Sequence, residues 1–505
     1  MRVLFVSSEF FPLAKTGGLA DVSAALPRAL AELGIHFRLL MPAYPSARRT
    51  ILEHEVLAAV PDFFGQGPTR LIAGRLPEAD LPVLLVDAPQ LYDRPGGPYL
   101  DVQGREWPDN ALRFGLLSRV AAWIAQEGLR SGWKPDLVHA NDWHTGLAPL
   151  WLRRVEPRVP SLFTIHNIAF QGVFPATALD LLRLPRELLT PDAIEFYGGI
   201  SFLKAGIRYS DRLTTVSPTY AQEIQTPAFG CGLEGVVRER AVDLVGILNG
   251  LDSRVWDSAR DRHLQTHYSA ADLAGKRACK AAIQRELGLD EDANAPLVAF
   301  VSRLTRQKMA ELVAQAVDAL VDQGGQFALV GDGDKDIEME FCKRAEACAR
   351  RIAARIGYEE GLAHRLYAGA DIMLAPARFE PCGLTPIYAM HYGTVPIVRP
   401  VGGMSDTVIA VAPSGRPTGR ANGFAFTGET LADLSAAIAT AFAAYREPVI
   451  WRKLQLCGMR RDWSWEASSA PAYFKLYRAL YASADPPRQQ QPTPAARRVA
   501  RSMKG

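Results

Sequence analysis

No stretch of this 505-residue chain approaches the roughly 18 consecutive apolar residues that a bilayer-spanning helix needs. The opening "MRVLFVSSEF" has a short apolar run but no small-residue cleavage site, and it is expected to be a strand rather than a signal peptide. Cysteine is scarce and scattered: the six, at 231, 279, 342, 348, 382 and 457, form no CxxC pair. That argues against a disulfide framework and for a reducing, cytoplasmic setting. Charge is nearly balanced, 57 Lys and Arg against 54 Asp and Glu, for a formal net charge of +3. No polybasic surface is expected, so nucleic acid is excluded as a partner, and no G-x-x-x-x-G-K-[ST] string is present to form a P-loop. The small basic excess sits at the end of the chain, where Arg488, Arg497, Arg498, Arg501 and Lys504 lie in a Pro- and Gln-rich stretch. With little to bury, residues 485–505 are expected to be a disordered tail.

What is present is a recurring alternation. Short apolar runs at 2–7, 37–42, 83–87, 136–140, 161–166 and 212–217 are separated by helix-length amphipathic segments, and the habit resumes at 297–302, 327–331, 371–376 and 395–399. Strands alternating with helices predict parallel sheets covered on both faces. Two such series in a chain too long for one core predict two Rossmann-like lobes, joined near "VGILNGLDSRVW" at 245–256. In this α/β class, ligands bind at the carboxyl ends of strands, so two lobes predict a site in an interdomain cleft.

The strand-end loops carry the chemistry. In "AKTGGLADV", Gly17 and Gly18 open a helix beside Lys15, with Asp21 three residues on. Paired glycines let backbone approach a ligand, and free amides at a helix start favour an anion. In "VSRLTRQK", Arg303 and Lys308 follow a predicted strand, placed to meet a diphosphate. In "ARFEPCGLTPIYAMHYG", Glu380 precedes Cys382, Gly383, Leu384 and Thr385, where another helix is expected to begin at Thr385 or Pro386. A carboxylate next to an amide pocket suits a sugar bonded to a diphosphate. Cys382 is expected to have its thiol pKa lowered by that helix N-terminus. The "GDGD" at 331–334 reads as turn chemistry rather than a metal site. His139 and His144 flank a loop without metal-ligand spacing, and no metal is expected.

These segments, with "HANDWHTGL", "TIHNIAFQG", "GILNGLDSRVW", "IGYEE" and "GGMSDTV", occur in an order that resembles bacterial glycogen synthase and plant starch synthase from about residue 1 to residue 480. The resemblance implies a two-lobed GT-B glycosyltransferase that moves glucose from ADP-glucose to the non-reducing end of an α-1,4-glucan, glycogen or a maltooligosaccharide, with retention of configuration. It implies an N-terminal lobe over 1–247, a nucleotide-sugar lobe over 248–467, and a helix at 468–484 crossing back to the first lobe. It assigns Lys15, Gly17, Gly18 and Asp21 to the donor from the first lobe, and Arg303 and Lys308 to the diphosphate. Glu380 is assigned to glucose hydroxyls, with Cys382 to Thr385 around the phosphate, and Tyr358 to adenine. His166 falls to the glucose, with Asn249, Asp142, Trp143 and His144 near sugar or acceptor. The alternative is the same fold using UDP-glucose, because a tyrosine can stack on any base, or another acceptor.

One detail departs from that pattern, and two groups of aromatics are read beside it. Met309 follows Lys308 where the family usually has glycine, which is expected to place a side chain where backbone would otherwise approach the diphosphate. Tyr99 and Trp107, in the polar loop "PYLDVQGREWPDN", are candidates to stack on sugar rings. The aromatics at 465, 473, 477 and 481 are expected to pack a C-terminal helix onto core.

Overall fold

The computed structural model describes residues 1–484 apart from 52–54, 78, 155–157 and 413–418, so the basic tail lies outside the described residues. The chain divides into two compact units, neither of them continuous in sequence. The first takes Met1–Thr214, Val236–Leu244 and the chain from Ala470; the second takes Thr215–Gly235 and Val245–Ser469.

In the first unit the run Val3–Val6 is fully buried, as a central parallel strand must be when helices cover both faces. Strand Arg2–Val6 pairs in parallel with His36–Pro42 on one side and Leu137–Asn141 on the other. The described sheet has nine strands, ordered Leu244–Gly246, Arg212–Thr215, Ser161–Ile165, Leu137–Asn141, Arg2–Val6, His36–Pro42, Leu81–Asp87, Thr69–Leu76 and Glu55–Val60. The last two are antiparallel additions that the alternating pattern did not predict. Helix Ala470–Ala484 packs on helix Gly18–Glu32 and on strand Leu137–Asn141. Its Tyr473 and Tyr477 are buried, and the Tyr477 hydroxyl lies 2.7 Å from His139 Nδ1. Those two rings therefore serve the core, as the stripe of aromatics predicted, whereas Tyr481 is exposed.

The second unit holds a wholly parallel six-stranded sheet, ordered Ile352–Ile356, Gln326–Gly331, Leu297–Val301, Ile372–Ala375, Val395–Val398 and Phe424–Ala425. Separate hydrophobic clusters back its two faces. The excursion Thr215–Gly235 is fastened to this unit by two carboxylates. Asp406 accepts from Ser217 Oγ at 2.7 Å, Thr219 Oγ1 at 2.7 Å and Thr219 N at 3.1 Å. Glu223 accepts from Gly402 N through both oxygens, at 2.9 and 3.1 Å.

Candidate active site

Each unit presents its functional side chains from the loops that leave the carboxyl ends of its parallel strands. In the second unit, the chain leaving strand Leu297–Val301 turns through the 3₁₀ segment Arg306–Lys308, and the chain leaving Ile372–Ala375 runs through 378–383. The two loops are laced together: Arg378 N donates to Gln307 O at 2.9 Å, Gln307 Nε2 donates to Phe379 O at 3.2 Å, and Arg378 reaches Arg306 O. Arg378 is itself held by Glu311 at 2.7 Å and Glu429 at 3.2 Å. The lacing brings Lys308 Nζ into a salt bridge with Glu380. Ser302, Lys308, Glu380, Gly383, Thr385 and Met404 line one depression at these strand ends.

Helix Leu384–His391 starts at its edge, one residue earlier than the sequence predicts. Gly383 caps it at φ +78°, a conformation that favours glycine, and a Cβ there would lie 2.7 Å from Met404 Cγ. Its first amides have no partner within the helix, so together with Lys308 they make the depression attractive to an anion. Its floor is tightly set. Any Cβ on Gly402, at φ +48°, would overlap the Glu380 carbonyl, and one on Gly403 would overlap that of Cys382. Glu223, by holding the Gly402 amide, fixes this turn from the Thr215–Gly235 excursion.

Cys382 overturns its expectation. The thiol is buried, and desolvation pushes its pKa up to about 12 although hydrogen bonds from Asn249 oppose the rise. Losing water outweighs the helix terminus, so the thiol stays protonated. Asn249 is buried beside it, and among the described residues its Oδ1 has no hydrogen-bond partner.

Arg303 and Tyr358 lie outside the depression's lining. Arg303 is exposed and, among the described residues, forms no ion pair; Tyr358 is 53% exposed, its hydroxyl donating to Glu360 at 2.7 Å. Met309 also departs from its expectation. It adopts the left-handed conformation (φ +51°, ψ +33°) that glycine would favour, yet its side chain is fully buried in the hydrophobic cluster behind the sheet. A side chain packed into core leaves the loop surface clear, and its burial offsets a backbone cost of about 1–2 kcal/mol. In "GDGD", Asp332 O accepts from Leu304 N, Gly333 N donates to Glu338 Oε1, and Asp334 precedes helix Lys335–Ala347. Among the described residues, no group of three or more His, Cys, Asp or Glu side chains is placed to hold a metal.

In the first unit, burial rather than ion pairing sets the chemistry. His166 Nε2 lies 3.0 Å from Asn141 Oδ1, and desolvation lowers its pKa to about 3, so the ring is neutral at any ordinary pH. Asp142, at φ +58° and ψ 179°, holds a backbone conformation reached almost only by glycine. Its carboxyl accepts from Trp143 N at 3.1 Å, and burial raises its pKa well above the carboxylate range. His144, on the same short turn, is held neutral by burial, and its Nδ1 has no partner among the described residues. Lys15 Nζ meets Asp21 Oδ1 at 3.1 Å and lies over the Phe11 ring.

Two expectations for this unit change. The Tyr99 ring stacks on His144 at 4.5 Å and 20°, with its hydroxyl bound to Ser8 and Glu9, so one face is occupied within the protein. The amides before helix Gly18–Glu32 do not all await a ligand: Thr16 N and Gly17 N donate to the buried carboxylate of Glu9. Glu9 was not among the residues singled out from sequence. Its signal was faint but present, a polar "SSE" directly after a fully buried strand, at the end where sites form.

Comparison with known proteins agrees with this architecture. Residues 2–239 match the starch synthase catalytic domain, and residues 295–443 match the glycosyl transferases group 1 family. The glycogen synthase of Paramagnetospirillum magneticum is 49% identical over 486 residues, spanning 96% of this chain and 97% of that protein. That of Burkholderia thailandensis is 50% identical over 481 residues, spanning 94% and 90%. The catalytic domain of starch synthase IV from Arabidopsis thaliana, solved with ADP and acarbose, superposes with a TM-score of 0.86 at 32% identity, covering 95% of this chain and 99% of that one. A sucrose-phosphate synthase from Thermosynechococcus elongatus, at 20% identity and a TM-score of 0.61, shares the fold. With two GT-B-type parallel sheets, laced strand-end loops and full-length similarity of this degree, the chain belongs to the glycogen synthase and starch synthase family of glycosyltransferases.

Proposed function

We propose that this enzyme transfers glucose from ADP-glucose to the non-reducing end of an α-1,4-glucan, with retention at the anomeric carbon. The observation that carries the reading is the Lys308–Glu380 pair at the N-terminus of helix Leu384–His391. Breaking the bond between the anomeric carbon and the diphosphate puts negative charge on the departing oxygen. Lys308 and the helix amides stabilise that charge as it develops, and Arg303 adds a second cation. Glu380 accepts hydrogen bonds from glucose hydroxyls, and its pairing keeps Lys308 oriented. Asn249 Oδ1, buried without a partner among the described residues, is available to a donor hydroxyl. Tyr358 presents an exposed ring to the adenine.

His166, Asp142, Trp143 and His144 serve the glucose and the acceptor, with Lys15 and Asp21 on the donor. A carboxylate nucleophile is disfavoured by the surroundings of each candidate. Burial pushes the Asp142 carboxyl toward its neutral form, Asp21 is paired with Lys15, and Glu380 is paired with Lys308. The acceptor 4-hydroxyl therefore attacks on the face the diphosphate leaves, its proton passing to a departing phosphate oxygen. This chemistry needs no metal. Six free cysteines support a cytoplasmic location.

The test is incorporation of labelled glucose into glycogen from ADP-glucose and from UDP-glucose in parallel. Preferential incorporation from ADP-glucose supports the reading. Preference for UDP-glucose moves the enzyme to the alternative donor, and incorporation from neither overturns the proposal.

A further inference from the structure

Glu9 is a carboxyl group buried at the mouth of the first unit's sheet, only 2% exposed, and the mechanism above gives it no task. Its surroundings are specific. One oxygen accepts from Thr16 N, the Gly17 amide also donates to the carboxylate, and Oε1 accepts from the Tyr99 hydroxyl. Tyr99 continues the chain to Ser8 Oγ at 2.8 Å. Thr16 and Gly17 lie between Lys15 and Gly18, the first residue of helix Gly18–Glu32. An internal carboxylate thus fills amides that a glycine-rich loop would otherwise offer to an external anion.

We infer that Glu9 is a positioning residue: by occupying the Thr16 and Gly17 amides it fixes the Lys15–Gly18 loop, so that the loop meets the donor through the Lys15 side chain. The inference rests on the proposed function only in naming the donor. A buried polar group is retained when its hydrogen bonds are satisfied, and here the satisfying donors belong to the loop it holds. The alternative task for the loop, cradling phosphate with those amides, would place a second anion against an anion already there.

The arrangement carries its own pH sensitivity. Burial raises Glu9 to about 7, opposed by Tyr99, Thr16 and Gly17, while the charge of Asp21 adds to the rise. The titratable groups that face it from neighbouring elements are Tyr99 before helix Asn110–Glu127, Tyr44 at the start of helix Pro45–Thr50, Asp21 on helix Gly18–Glu32, and Asp142 after strand Leu137–Asn141. Of these, burial shifts Asp142 toward its neutral form, and it raises both tyrosines well above their ordinary value, so the tyrosines stay neutral near pH 7. Glu9 itself, held at about 7, changes charge near neutrality. When it ionises, Tyr99 donates to it and can accept from Ser8. When it is protonated, it can donate to Tyr99, which turns to donate to Ser8, and the grip on the loop amides weakens.

The experiment compares wild type, Glu9→Gln and Tyr99→Phe in kcat/KM for ADP-glucose from pH 5.5 to 9, with melting temperature over the same range. The wild type is expected to lose kcat/KM below about pH 7. Glu9→Gln is expected to lose that acid limb and to lie about 10-fold below wild type at pH 8, mostly through KM for the donor. Tyr99→Phe removes a hydrogen bond that stabilises the ionised form, so its limb moves to higher pH. Melting gives a readout independent of activity. A carboxyl whose pKa is higher folded than unfolded stabilises the fold at low pH, and that contribution is lost as pH rises through about 7. The fall in wild-type melting temperature between pH 5.5 and 8 should therefore be reduced in Glu9→Gln. A Glu9→Gln enzyme with wild-type kcat/KM, an unmoved acid limb and an unchanged melting slope overturns the inference. If wild type fails to use ADP-glucose at all, the proposed function falls, while the melting slope still judges Glu9.

Discussion

The two units solve the same problem, placing polar groups at strand ends, by opposite electrostatic means. In the second unit the charges that line the depression are paired and only partly buried: Lys308 and Glu380 side chains keep 21% and 13% of their surface, and the supporting Arg378 is shared between two glutamates. In the first unit most of the polar side chains are stripped of water and driven toward neutrality. Asp142 and Glu9 are pushed up, and His144 and His166 are pushed down. Lys15 with Asp21 is the exception there. A site that must stabilise a leaving diphosphate benefits from fixed cations. A site that must hold uncharged sugar benefits from neutral donors and acceptors that carry little desolvation cost of their own.

This contrast can be broken experimentally, and the largest effect belongs to the charged side. Lys308→Ala should lower kcat by about 10³-fold, because a contact to developing charge is lost, while melting temperature changes by only a few degrees. A loss under 10-fold would mean that the charge is stabilised elsewhere. His166→Ala should lower kcat by about 10²-fold, and the ratio to wild type should stay flat from pH 5.5 to 9 because the ring titrates near 3. A ratio that changes through pH 6–7 would show that the imidazole is charged after all.

Gly402→Ala acts on geometry alone. Its methyl group would overlap the Glu380 carbonyl in a left-handed conformation, so kcat/KM for the donor should fall about 10-fold with a clear drop in melting temperature. The smallest effect is expected from Met309→Gly. Relief of the left-handed backbone returns about 1–2 kcal/mol, and the emptied core site costs about 2–4 kcal/mol. The variant should melt lower with kcat/KM within about 3-fold of wild type, since the lost side chain faces core. Donor affinity that improves markedly would mean that Met309 does obstruct the loop.

The parallel strands were legible because each is a short, nearly continuous apolar run, and all ten expected positions carry strands. Glu55–Val60 and Thr69–Leu76 escaped because they lie toward one edge of the sheet, partly exposed and interrupted by alanine and arginine. Ile352–Ile356, also at an edge, hides behind Arg355. In the site, Lys308 and Glu380 were visible as charged residues at strand ends, but their pairing depends on the lacing of two loops 72 residues apart. Glu9 and Cys382 show where local reading stops. Whether a carboxyl faces water or two amides, and whether a thiol senses a helix end or merely loses its hydration, is decided by distant chain. Met309 makes the same point, since only the packed core shows which way its side chain turned.

The interleaving of the units has a consequence for synthesis and dissection. The chain passes from one unit to the other after residues 214, 235, 244 and 469. A single cut anywhere in the backbone therefore cannot release either half whole. During translation, the stretch that covers His139 emerges only after the whole of the second unit has been made. The earlier-made half must wait, with part of its interior uncapped, until the ribosome delivers Tyr473 and Tyr477.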